Sequence, residues 1–164
     1  MTNVGGVQVI VDGVSTPAPA RRPKPRPATA AAPTPDPIAA RTAARGVALA
    51  RYALAFLGVP YLWGGNTPRG FDCSGYVQYV YAMWGIPIPR TADLQFAAGQ
   101  PVTEPEPGDL LFFQTYAYGA SHVAIYLGGG WFVQAIGSDV HESNFDAPYF
   151  RSRYLGARRF IPPV

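Results

Sequence analysis

The strongest constraint on how this chain can fold is a change of periodicity near Gly108. Before that point apolar residues fall at helical spacing. Val77, Val80, Tyr81 and Trp84 stand at i, i+3, i+4 and i+7, and Gly85, Pro87 and Pro89 then stop the helix. An earlier helix is expected over residues 37–57, because Asp36-Pro37 supplies an N-cap followed by proline at the first helical position, and Gly58 a left-handed C-cap. Its larger apolar residues, Val47, Leu49, Tyr52, Leu54, Phe56 and Leu57, crowd into the C-terminal half, which should therefore pack on the domain. After Gly108 the pattern becomes strand-like over 109–113, 121–127, 131–136, a shorter piece around Val140, and 154–161. Helices first and strands afterwards indicate an α+β fold with an antiparallel sheet of five to six strands packed against helices.

The chain has 164 residues, 48% of them hydrophobic, enough for one domain with its own core. The first 36 residues read differently from the rest. Residues 7–11 form a short strand-like run ending in an Asp-Gly turn, and residues 16–37 are Pro, Ala, Thr and Arg with almost nothing large and apolar. That composition favours an extended linker of polyproline character, acting as a tether or serving no role. The expected division is an N-terminal extension over 1–36 and a folded domain over 37–164. The formal charge of +3, with Arg21, Arg22, Lys24 and Arg26 clustered among prolines, is too modest for a nucleic-acid binder. No run approaches the roughly 18 to 20 apolar residues that span a bilayer, so no membrane span is expected. The opening residues lack the basic segment and apolar core of a secretory signal, and export is not legible in them.

One cysteine excludes an internal disulfide and leaves two readings for Cys73, a small buried hydrophobe or a nucleophile. Cys73 stands where a Gly- and Pro-rich loop gives way to a helix, and backbone N–H groups at a helix N-terminus shift a thiol toward thiolate. A nucleophile needs a base, and the chain offers only His122 and His141. His122 opens a strand whose odd positions are strongly apolar, whereas His141 lies between Asp139 and Glu142 in a polar stretch and reads as a solvated loop residue. One cysteine and two histidines without ligand spacing do not suggest zinc, so neither metal nor cofactor is expected.

The order and spacing of five segments carry a resemblance: Pro60-Tyr61-Leu62-Trp63-Gly64-Gly65, Phe71-Asp72-Cys73-Ser74-Gly75, Ile88-Pro89-Arg90-Thr91, Pro107-Gly108-Asp109-Leu110-Leu111-Phe112-Phe113, and Ser121-His122-Val123-Ala124-Ile125-Tyr126-Leu127-Gly128. Together they resemble the NlpC/P60 family of papain-like cell-wall cysteine peptidases. The resemblance implies a catalytic domain over 37–164 with Cys73 as nucleophile, His122 as base and an acyl-enzyme route. It implies peptidoglycan peptide stems as substrate, cut at the γ-D-glutamyl bond to a diamino acid such as meso-diaminopimelate, by a monomer secreted or held at the cell envelope. A muramoyl-L-alanine amidase, or a wall-binding or assembly module of a phage tail or secretion apparatus, are the alternatives. The family's third, orienting position falls on Gln134, where many relatives carry histidine, and Glu142 is a reserve candidate. Tyr61, Asp72 and Ser74 resemble family positions that shape the oxyanion site and hold the amino end of a short peptide stem, and Arg90, with Arg69, is a candidate partner for the carboxylates of D-glutamate or diaminopimelate. Asp72 also reads as a helix N-cap, Arg69 and Arg90 as solvated arginines, and Trp63, Trp84 and Trp131 as core or cleft wall.

Gln134 can serve His122 only if strand register allows it. The three glycines Gly128-Gly129-Gly130 suit a hairpin turn. A three-residue loop pairing Leu127 with Trp131 puts Gln134 and His122 on one face, whereas a two-residue loop puts them on opposite faces unless a bulge restores parity.

Overall fold

A computed structural model describes Thr34 and residues 36–164. The strand expected over 7–11 and nearly all of the linker lie outside the described residues. The first helix, α1 (Pro37–Ala53), is capped by Asp36, whose carboxylate accepts from Ile38 N at 3.0 Å, and runs into a 3-10 turn over Leu54–Phe56. Gly58 then takes a φ of 84°, as its place after the helix demands. The N-terminal half of α1 is exposed, while Gly46, Leu49, Ala50 and Ala53 are buried. Leu57 departs from expectation: it is 46% exposed, because the 3-10 turn rotates it off the packed stripe.

Two strands of two residues, β1 (Asn66–Thr67) and β2 (Gly70–Phe71), form a small hairpin and lead directly into α2 (Cys73–Met83). On α2 the residues Tyr76, Val77, Val80 and Tyr81 are fully buried. A short α3 (Ala92–Ala98) and an edge strand β3 (Gln100–Val102) follow. The sheet is completed by β4 (Leu110–Phe113), β5 (His122–Gly128), β6 (Trp131–Ile136), β7 (Asp139–Asn144) and β8 (Tyr154–Arg159), with the short helix α4 (Pro148–Arg151) between the last two. Its six strands run in the order β3-β8-β4-β5-β6-β7, all antiparallel.

Alternation along the strands divides the apolar residues between two faces. Leu110, Phe112, Val123, Ile125, Val133 and Ala135 join Leu49, Phe71, Tyr76 and Val80 in the main core between sheet and helices. Leu111, Phe113, Ala124 and Phe132 turn to the other face and form a smaller cluster with Phe145, Phe150 and Tyr154. The elements sequence periodicity did not reveal are α3, α4, β3 and the β1–β2 hairpin. The two helices span at most two turns and the three strands at most three residues each, too few for either period to emerge, and β3 contains Pro101, which is tolerated because the strand lies at the sheet edge.

α1, α2 and the turn before β4 meet at glycines. The Tyr81 hydroxyl donates to Gly108 O, and Gly108, at φ 94°, packs against the backbone of Gly46. A Cβ at Gly46 would overlap the Pro107 carbonyl oxygen, a backbone atom that cannot swing aside. Gly46→Ala is therefore expected to destabilise the domain by about 1–3 kcal/mol despite its better helix propensity. Urea unfolding of the two proteins checks this, and an unchanged midpoint would refute the close-packing account.

Candidate active site

The chain enters the site from the loop after Gly58. Tyr61 N donates to Ser138 O at 2.9 Å and Leu62 N to Phe71 O at 3.0 Å, so this loop is pinned between the β6–β7 turn and β2. α2 begins at Cys73, as its sequence position predicts, with Asp72 as N-cap. Oδ1 of Asp72 accepts from Gly75 N at 2.6 Å, and Oδ2 accepts from Gly64 N at 3.1 Å. Arg90 Nη1 reaches Asp72 Oδ1 at 3.0 Å and Ser74 Oγ at 2.9 Å, while Nη2 reaches Asp72 Oδ2 at 2.8 Å. Arg90 is thus not merely solvated: its charge is spent on the cap of the cysteine's helix. Gln95, buried and unforeseen, braces the same corner by donating to Ser74 O at 3.1 Å and Pro89 O at 2.8 Å.

His122 opens β5 at the end of the sheet where α2 begins, and the Cys73 thiol faces the carbonyl of the preceding residue, Ser121, at 3.9 Å. The hairpin after β5 pairs Gly128 with Trp131 but Tyr126 with Phe132, so Leu127 bulges out of register. The loop is therefore the two-residue kind, and the bulge restores the parity that brings Gln134 to the face of His122. The His122 ring Nε2–H donates to Gln134 Oε1 at 2.6 Å, and Gln134 Nε2 donates to Ser143 Oγ at 2.8 Å. Ser143 fixes which way the amide points, and the amide in turn leaves the lone pair of His122 on Nδ1. Sequence reading missed Ser143; register could have found it, because Gln134 pairs with His141 and Ser143 lies two residues along on the same face. Glu142 pairs with Val133, on the opposite parity, and is exposed, so it does not reach His122. His141 sits in β7 rather than in a loop, half-exposed, with Nδ1 2.9 Å from Asp139.

Two open cavities meet at the thiol. The larger, about 640 Å³, is lined by Asp72, Ser74, Arg90, Asp93 and others, and the smaller, about 410 Å³, by His122, Thr115, Ile136 and Tyr149 among others. Tyr61, Trp63, Cys73 and Tyr116 line both. Trp63 is 72% exposed and stands edge-to-face against Tyr116 at 5.6 Å, forming cleft wall, whereas Trp84 packs on the core and Trp131 is half-exposed. Arg69 is exposed in the β1–β2 turn and lines neither cavity.

Burial governs the protonation of the site. The sequence expectation was a thiol drawn toward thiolate by the helix N-terminus; the backbone amide of Val123 on β5 pulls that way most, and those of Ser74 and Cys73 at the helix start add to it. They are outweighed: burial first, with Asp72 adding to it, pushes Cys73 up to about 11. Burial likewise pushes His122 down to about 4, opposed by the hydrogen bond to Gln134. Taken singly, each group is pushed by burial toward its uncharged form. Burial also pushes the Tyr61 phenol up to about 12, with Cys73 and Asp72 adding to it, so it remains a hydrogen-bond donor.

With that geometry established, comparison with known proteins decides the family. The NlpC/P60 family model matches residues 58–159. This chain belongs to the NlpC/P60 family. Its curated relatives include the Gamma-DL-glutamyl hydrolase of Bacillus subtilis (strain 168), 45% identical over 129 residues that cover 75% of this chain and 31% of that protein. Another is the Murein DD-endopeptidase MepH of Escherichia coli (strain K12), 43% identical over 116 residues, covering 65% and 43% respectively. The chain thus spans less than half the length of either relative. Among solved structures, an NlpC/P60 family protein from Bacillus cereus ATCC 10987 superposes with a TM-score of 0.67 at 35% identity, covering 71% of this chain and 40% of that one. The α+β architecture expected from sequence is the NlpC/P60 fold.

The depressed His122 pKa has a consequence for stability. The unfolded chain binds a proton at His122 near the ordinary value of 6.5 and the folded chain only near 4. Stability from the neutral ring is complete above 6.5 and is lost as pH falls toward 4, a difference of roughly 3 kcal/mol. Urea unfolding between pH 7 and pH 4 should show a steeper loss in the native protein than in His122→Gln, and parallel slopes would refute it.

Proposed function

We propose that this chain hydrolyses an amide bond in the peptide stem of peptidoglycan through a covalent thioester. The observation that carries the reading is the joint placement of Cys73 at the start of α2 and His122 at the start of β5 on one cleft, with the imidazole tautomer set by Gln134. Burial disfavours a charge on either group alone, so thiolate and imidazolium form as a pair: Cys73 passes its proton to His122 Nδ1 and the sulfur attacks the scissile carbonyl carbon. The oxyanion meets the Cys73 backbone N–H, which as the first in its helix has no intrahelical partner, and the Tyr61 hydroxyl. Imidazolium then returns its proton to the leaving amine as the C–N bond breaks. Water, deprotonated by the same ring, cleaves the thioester and regenerates the thiol. Gln134 holds the ring without lending charge to it, as an asparagine does in papain-like enzymes.

The stem is the substrate favoured by kinship, since relatives carry the names Gamma-DL-glutamyl hydrolase and Probable peptidoglycan endopeptidase LytE. The γ-D-glutamyl bond to the diamino acid is the bond we assign, and the envelope is where such a protein acts. No helix among the described residues is long and apolar enough to cross a membrane.

Digestion of defined muropeptides with mass-spectrometric product analysis tests the assignment. The native protein should cut the stem between D-glutamate and the diamino acid, leaving L-alanyl-D-glutamate on the muramic acid, and Cys73→Ala should cut nothing while keeping its fold. Intact stems freed from glycan would identify an amidase instead, and turnover by Cys73→Ala would end the thioester mechanism. Gln134→Ala should lower kcat about ten- to a hundredfold with little change in KM, since it loosens the ring and leaves Ser143 unpaired. Undiminished kcat would remove Gln134 from the site.

A further inference from the structure

The two cavities that meet at Cys73 receive opposite ends of the scissile bond. His122 lines only the smaller one, and a ring that protonates the leaving amine must lie beside it, so the amine end occupies the smaller cavity and the acyl end the larger. Their linings differ in kind. The larger carries charged side chains, Asp72 and Arg90 among them. Among the described residues the smaller is lined, apart from Cys73 and His122, by uncharged side chains alone, and Thr115, Ala135, Ile136 and Tyr149 belong to it only. Tyr149, in α4, is half-exposed yet fixed: the Arg153 guanidinium stacks on its ring, with Cζ 3.9 Å from the centroid, and Arg153 Nη1 donates to Tyr149 O at 2.9 Å. The water that ends hydrolysis needs the same base as the leaving amine did, so it enters by the cavity that amine has vacated. Water and amine therefore compete for one position, and an amine held there by apolar contact meets the thioester at a high effective concentration.

Resting on the function proposed above, we infer that the protein also transfers the stem's acyl group to amines, taking as acceptor an α-amine with an apolar side chain held against Tyr149 in the smaller cavity. The neutral nitrogen attacks the thioester carbonyl carbon, and a C–N bond forms as the C–S bond breaks. The surplus N–H proton passes to His122 Nδ1 and from there to the departing Cys73 sulfur, so the enzyme returns to its starting state with no other reactant consumed. A free carboxylate or a second ammonium finds no countercharge among the lining residues, which favours an amino-acid amide over the free amino acid as acceptor. The product is a stem whose residue after D-glutamate has been exchanged.

The test uses L-alanyl-γ-D-glutamyl p-nitroanilide with increasing L-leucinamide, and separates the products by mass spectrometry. The native protein should yield L-alanyl-γ-D-glutamyl-leucinamide beside L-alanyl-D-glutamate. Their ratio should grow with leucinamide, exceed that obtained with free leucine, and climb with pH through roughly 8 as the acceptor amine loses its proton. Both products leave one acyl-enzyme, so the ratio is blind to how fast that intermediate forms. Tyr149→Ala should lower the ratio about three- to tenfold through lost apolar contact, and Tyr149→Phe should keep it. A role of Tyr149 confined to folding would change the total rate and leave the ratio as it was. Hydrolysis product alone at every leucinamide concentration, or a ratio unmoved by Tyr149→Ala, overturns the inference and leaves the hydrolase standing. Failure to release p-nitroaniline or to cut muropeptides would instead overturn the function on which transfer rests, and transfer with it.

Discussion

The Asp72 carboxylate is the interaction on which the rest of the site depends. It ties together three segments distant in sequence: the start of α2, the Gly64 loop that carries Tyr61 and Trp63, and Arg90 ahead of α3. Burying a carboxylate is costly unless its lone pairs are filled, and here backbone amides, a guanidinium and the Ser74 hydroxyl fill them. Close approach makes this possible, because a Cβ on Gly75 would overlap the Gly65 carbonyl oxygen. The cysteine is thereby set by a polar knot on one side and by the apolar stripe of α2 on the other.

Much of this was legible in the sequence, and the limits of legibility are physical. The starts of α1 and α2 were readable because caps and glycine stops act locally, and the sheet strands because alternation persists over four or more residues. The contact of His122 with Gln134 was readable only as a condition. Glycines announce a turn but not its length, and the outcome hinged on whether Leu127 paired or bulged. The partners of Asp72 were hidden for another reason: Arg90 lies 18 residues away, joined through a loop whose path no periodicity describes.

The protonation of the site shows two correct principles in opposition, with magnitude deciding. A helix N-terminus does favour a thiolate, yet Cys73 is only 5% exposed and His122 only 2%, and desolvation outweighs a few amide dipoles. Neither group can charge alone at little cost, but each can charge when the other does. The site thus couples ionisation to the arrival of a substrate that brings an electrophile and excludes water.

Among the described residues the sheet does not close, and its two outer strands bear on how the protein behaves among its neighbours. Exposed strand edges are templates for pairing with other chains. At one end β3 is only three residues long and carries Pro101, which has no N–H to offer. At the other, the first half of β7 is covered, since Val140 exchanges backbone hydrogen bonds with Gly58 and Val59, and the rest bears Glu142, whose charge and hydration oppose a flat apolar partner. The strand that supplies Ser143 to the orienting network is therefore also a guard against edge-to-edge aggregation, and an apolar substitution at Glu142 would trade solubility without touching the chemistry.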